Sequence, residues 1–202
     1  SATLGWRYVF GVLVLIGLGI LLLCFFKLPE SKKPAEGYSL APRFILQKFG
    51  EVFKQPQFVI YTLTSAFTAA GLYAYIAGSP HVFMEIFGTS EKTYGLIFSI
   101  IAAALVLATQ INAQILKYTS SRKIIPVAIA FQCCAGILLA VGFINSWWGV
   151  TGSIVLCSIF LPCQGFTFPN ASALALAPFD QNAGSASALI GCIQMATGTL
   201  SS

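Results

Sequence analysis

Uncharged polar side chains sit inside the apolar stretches of this chain, and their spacing gathers most of them onto helix faces. Tyr61, Ser65, Thr68, Tyr75 and Ser79 fall at offsets of 0, 4, 7, 14 and 18, one helical face with Leu72 filling its gap. Gln110 and Gln114 are four apart and share a face, from which Asn112 points away. Gln164, Thr167 and Asn170 follow an i, i+3 track bracketed by Pro162 and Pro169, two residues able to kink a helix. Gln194 lies on a seam of small residues, Gly184, Ser187, Gly191 and Gly198, where two helix backbones could approach closely. Hydroxyls, amides and phenols of this kind donate and accept hydrogen bonds, and their rings stack on apolar or cationic groups. The candidate substrate-binding residues are therefore Tyr61, Ser65, Thr68, Tyr75, Gln110, Gln164, Asn170 and Gln194. Each has a plainer reading as an interhelical hydrogen bond, and for Gln194 the two readings weigh equally.

The residue types that would do covalent chemistry are not arranged for it. There is no Ser/His or paired-Asp constellation to activate a nucleophile, and no Gly-rich phosphate loop. The six cysteines, Cys24, Cys133, Cys134, Cys157, Cys163 and Cys192, form no C-x-x-C pair, and His81 is the sole histidine. The expectation is a non-enzyme with no cofactor and no metal site. His81, Glu85 and Asp180 are expected to be solvated at span ends or in loops.

The elements that must position these groups are membrane spans. A helix needs about 20 apolar residues to cross a hydrocarbon core of about 30 Å. The runs 8–26, 58–77, 94–116, 124–144, 149–168 and 184–202 approach that length without an internal charge. Hydrophobic residues make up 57% of the chain and charged residues 8%, too few charges to clothe a soluble domain of 202 residues. The fold class is all-α, a polytopic transmembrane helix bundle in the lipid bilayer. The net charge of +5 does not point to nucleic acid, because six basic residues fall in 27–54 and three in 117–123, as connections rather than a patch. The positive-inside rule puts those two connections in the cytoplasm. Trp147 and Trp148 then suit an outer aromatic belt, Trp6 and Tyr8 flank Arg7 as an outer anchor, and 178–183 returns inside by parity. The chain lacks an initiator Met and opens just before a span, so it reads as part of a longer protein.

Three regions follow: 1–26, a lone first span; 27–56, a cytoplasmic linker; and 57–202, five further spans. Within the linker, L-P-E-S-K-K-P-A-E-G is rich in Pro and charge. Further on, Ile45, Phe49, Val52 and Phe53 recur at helical spacing, which predicts an amphipathic helix on the membrane surface.

Several stretches resemble the Bcr/CflA drug-resistance branch of the major facilitator superfamily. G-L-Y-A-Y-I-A-G-S-P (71–80) is similar to its seventh helix, F-P-N-A-S-A-L-A-L (168–176) to its tenth, and A-G-S-A-S-A-L-I-G (183–191) to its eleventh. The opening G-W-R-Y-V-F resembles the W-R-x-x-F signature at the start of the sixth helix of drug/proton antiporters. The resemblance implies a partial major facilitator fold, six spans of an expected twelve, with 1–26 the last helix of the first half and 57–202 an incomplete second half. It implies a bacterial inner-membrane, multi-pass drug/proton antiporter working by alternating access, with an amphipathic or cationic drug as substrate and the proton as coupling ion. The chain departs from the family at 117–123, where K-Y-T-S-S-R-K keeps Arg122 and Lys123 but not the Asp and Gly of the usual loop pattern. Two other classes remain open: a carrier for one specific metabolite, and a non-transport membrane sensor or scaffold.

Overall fold

The computed structural model describes residues 6–27, 42–179 and 182–202, so most of the linker and Asp180 lie outside the described residues. The chain divides into two units, residues 1–40 and 41–202. The first holds one helix, α1 (Trp6–Lys27), apolar along its length and closed by Lys27 in its last turn, where a cation complements the helix dipole.

The second unit begins with α2 (Pro42–Phe53), whose ridge does not all lie on a surface. Val52 is fully buried and clusters with Phe58, Ala175, Ala186, Leu189 and Ile190, and Phe49 packs against that cluster. Pro56 starts α3 (Pro56–Pro80) three residues after α2 ends, and this tight corner folds Val52 back onto α3 and α7. Ile45 and Leu46 stay exposed, so the apolar residues of α2 are divided between the bundle and the outer surface. α3 does not stop where its apolar run does. It continues as a π-helical turn, His81–Ile86, giving a continuous span Pro56–Ile86, before Gly88 reverses the chain at φ +63°.

α4 (Glu91–Ile115) opens on Ser90, whose hydroxyl caps Thr93 N–H at 3.3 Å, with Glu91 in the first turn. α5 (Ser121–Ile144) and α6 (Val150–Leu176) follow. α6 runs eight residues past the expected end at 168 and contains both Pro162 and Pro169. A membrane helix tolerates such prolines because neighbouring helices and hydroxyl side chains re-satisfy the freed backbone. The last helix is α7 (Ala183–Ser201). Among the described residues five helices are long and apolar enough to cross a membrane; α7 is not one of them, diluted by its Gly, Ser, Thr and Gln residues.

α6 is the axis of the unit and packs against α3, α4 and α5, while α3 also packs against α7. The packing is inverted relative to a soluble bundle. Thr62, Ser65, Thr68, Asn112, Gln132, Gln164, Thr167, Asn170 and Gln194 are buried, while Ile60, Phe67, Ile100, Leu107, Val127, Phe131, Ile137 and Val155 face outward. That distribution suits lipid as the surrounding solvent, where polar groups seek partners inside.

Close approach is set by Gly165, outside the expected seam, and by Gly198, the last member of that seam. A Cβ on Gly165 would stand 3.1 Å from the Leu105 carbonyl oxygen and from Ala108 Cβ, so Gly165 lets α6 lie directly on α4. On α7, a Cβ on Gly198 would meet the Tyr73 ring at 2.5 Å, whereas Gly184 and Gly191 face open space. The α7 face buried here is Ala186, Leu189, Ile190, Gln194 and Gly198, which shares only Gln194 and Gly198 with the expected seam. In the turn after α5, Trp148 Nε1–H donates to the Leu138 carbonyl at 2.8 Å and its indole covers Gly142, while Trp147 is exposed.

Candidate functional site

The buried polar residues fall into separate places rather than one wall. On α3, Ser65 accepts a hydrogen bond from Gln194 Nε2 at 3.0 Å, which joins α3 to α7. Thr68 donates to the Thr64 carbonyl at 2.7 Å and lines a cavity of about 470 Å³ beside α5 together with Gln132. Tyr61 packs near the α2 end against the Val52 cluster. Tyr75 packs at the opposite end, against Phe83, Ile97, Ile101 and Leu161, and stacks on Phe98 with ring centroids 6.0 Å apart. At 1.5 Å per residue the two tyrosines are separated by about 21 Å along the helix. One face in the helical wheel therefore serves three different neighbours.

At the α6 end near Leu176, three helices are tied by amides. Asn170 Nδ2 donates to Asn112 Oδ1 on α4 at 2.7 Å and to its own helix at the Phe166 carbonyl, also 2.7 Å. Ser121 Oγ, at the start of α5, donates to Asn170 Oδ1 at 2.6 Å. The i, i+3 track correctly marked Asn170 as inward, but on α4 it is Asn112 that turns in, while Gln110 and Gln114 are exposed. Asn112 continues the buried ridge Ile97, Ile101, Ala108, a periodicity visible in the sequence once the apolar ridge is traced first.

Gln164 occupies the remaining place. It is 5% exposed, and its Oε1 is buried without a hydrogen-bond partner. It borders a cleft of about 230 Å³ between α3, α4 and α6, lined also by Leu72, Tyr73, Leu105, Thr109 and Phe168. Gly165 sets the depth of this cleft by bringing α4 close, and Tyr73 packs on Gly198 from behind. Its lining combines the polar residues Gln164, Thr109 and Tyr73 with aliphatic and aromatic carbon. Such a mixture holds an amphipathic molecule loosely and in more than one orientation. Tyr73 and Thr109 carried no signal in the sequence, because neither lies on a polar ridge. Near the other end, His81 Nδ1 and Glu85 Oε2 are 2.7 Å apart within the π-helical turn. Both side chains are exposed at the end of the continuous α3 span, as expected. Among the described residues no group of three His, Cys, Asp or Glu side chains could hold a metal ion.

The helix pattern and the inverted burial are those of a bundle built for lipid surroundings. The Major Facilitator Superfamily profile matches residues 1–202. The chain belongs to the Major Facilitator Superfamily. Within this superfamily, the chain is 27% identical over 198 residues to the bicyclomycin resistance protein homolog of Haemophilus influenzae, covering 96% of this chain and 49% of that protein. It is 27% identical over 197 residues to the multidrug resistance protein MdtL of Escherichia coli, covering 96% of this chain and 48% of MdtL. It is 26% identical to the MFS-type transporter YdgK of Bacillus subtilis over 197 residues, with 96% and 48% coverage. The chain thus spans about half the length of the curated relatives it matches. As a superfamily member with five membrane-crossing helices among its described residues, it is an integral, multi-pass protein of the bacterial inner membrane.

Proposed function

We propose that this chain forms part of a multidrug efflux carrier that exchanges an amphipathic or cationic compound for protons by alternating access. In this reading the cleft between α3, α4 and α6 contributes to the substrate wall, and Gln164 is its polar contact. The observation that carries the proposal is the unpartnered, buried Oε1 of Gln164 at an aromatic-lined cleft. A buried acceptor without a partner costs about 1–3 kcal/mol, and a substrate N–H would recover part of that cost. The relatives named for resistance to bicyclomycin and to multiple drugs support the substrate class. The first half of the carrier and its rocking against this half follow the general pattern of repeat-built transporters. Tyr61, Ser65, Thr68, Tyr75, Asn170 and Gln194 are, on this reading, contacts or supports of the same route, whereas Gln110, exposed on α4, serves as the comparison position.

The test is export by the full-length protein with Gln164→Leu compared against Gln110→Leu. Gln164→Leu should lower export of substrates bearing an N–H donor about three- to tenfold with membrane abundance unchanged, the loss of one hydrogen bond in a desolvated site. Equal export by wild type and Gln164→Leu across all substrates would remove the cleft from the route.

A further inference from the structure

A second groove lies at the basic end of the bundle, away from the Gln164 cleft. Ile115 and Thr119 from the end of α4, Lys123, Val127 and Phe131 from α5, and Phe166 from α6 enclose about 500 Å³. Its lining is apolar except at one end, where Thr119 and Lys123 stand. Among the described residues no carboxylate lines it, and Lys117 and Arg122 flank the same connection. Val127 and Phe131 are 57% and 61% exposed, so the groove opens outward on the surface that lipid covers, not toward the α3–α4–α6 cleft.

We propose that this groove seats an acyl chain of an anionic phospholipid, with the headgroup phosphate held by Lys123 and the Thr119 hydroxyl. The shape of the site is that of an amphiphile: an apolar slot, one charged end, and the charge at the helix terminus where headgroups lie. Three cationic side chains on one short connection repel a cationic drug and attract a phosphate. Lys123 supplies three donors on a flexible stem, whose methylenes can lie along apolar surface while the ammonium reaches the headgroup layer. The remnant of the family's loop pattern at Arg122 and Lys123 then has a use that does not require the missing Asp and Gly. This inference stands independently of drug transport.

The test uses the full-length protein in maltoside micelles, with lipid adducts counted by native mass spectrometry. The probes are palmitoyl-oleoyl phosphatidylglycerol and the zwitterionic palmitoyl-oleoyl phosphatidylcholine. Wild type should retain phosphatidylglycerol in preference to phosphatidylcholine. Lys123→Gln should weaken phosphatidylglycerol about fivefold, the factor that ~1 kcal/mol per basic residue near an anionic surface corresponds to. Lys123→Arg should keep the preference, and Lys117→Gln or Arg122→Gln should cost less than Lys123→Gln. Val127→Trp fills the slot from its exposed side and should displace phosphatidylglycerol with every basic residue in place. Equal losses for all three basic residues would show diffuse attraction and overturn the proposal. So would indifference to Val127→Trp, or displacement of phosphatidylglycerol by glycerol phosphate at equal concentration, which would mark a plain anion site.

Discussion

Asn170→Ala should be the most damaging conservative change at the amide node, by an amount the geometry bounds. The side chain makes two interhelical bonds, to Asn112 at 2.7 Å and from Ser121 at 2.6 Å, and one to the Phe166 carbonyl. Interhelical hydrogen bonds in membrane proteins average about 0.6 kcal/mol and reach about 1.7 kcal/mol. Two such bonds give about 1.2 kcal/mol, and stranding the Asn112 and Ser121 partners adds a penalty of about 1–3 kcal/mol. The total for Asn170→Ala is about 2–4 kcal/mol. Asn112→Ala removes one interhelical bond and leaves Asn170 with Phe166 and Ser121, so it should cost about 0.6–1.7 kcal/mol. Reversible unfolding in mixed micelles, titrated with dodecyl sulfate, measures both, and the double variant gives their coupling. The coupling should be about 0.6 kcal/mol or more. A coupling of zero, or an Asn170→Ala cost no larger than that of Asn112→Ala, would refute the node.

Gly198→Leu should lower folded yield far more than Gly191→Leu, since a side chain at 198 meets the Tyr73 ring at 2.5 Å while position 191 faces open space; overpacking costs about 1–3 kcal/mol, and size-exclusion recovery after detergent extraction reads it. Tyr75→Phe should raise thermal stability in micelles by about 1 kcal/mol, because it removes a buried hydroxyl that has no partner. Tyr75→Ala should lower that stability by about 2 kcal/mol through loss of the Phe98 stack and the Phe83 cluster.

The helices themselves were legible because lipid imposes a crude, strong rule: about 20 apolar residues in a row and charges pushed to the ends. Their limits were less so where that rule relaxes. α6 runs to Leu176 because its last turns bury Ala171, and Ala175 in the cluster shared with α2 and α7, whereas a count of apolar residues stops at the Pro169–Asn170 step. The apolar run of the second span ends before the π-helical turn His81–Ile86, which continues the helix with the exposed His81 and Glu85 at its outer end. Polar spacing located buried residues well: Ser65, Thr68, Gln164, Asn170 and Gln194 are all inside. It did not say which neighbour each meets. α3 crosses several helices, so Ser65 finds α7 while Thr68 and Tyr75 find other partners along its length. Gln110 was chosen over Asn112 because two glutamines shared a face, when the ridge of Ile97, Ile101 and Ala108 decides which face is buried. The close contacts at Gly165 and Gly198 depend on the ring or backbone across the interface, and a single helix sequence does not contain that information.

Drug-dependent proton movement in proteoliposomes of the full-length protein tests the proposed drug/proton exchange without intermediates. With a pH gradient imposed, uptake of a cationic aromatic drug should be accompanied by opposite proton flux, and both should vanish when nigericin collapses the gradient. Gln164→Leu should reduce both together. Drug movement that ignores the gradient, or proton flux that ignores the drug, would contradict the account.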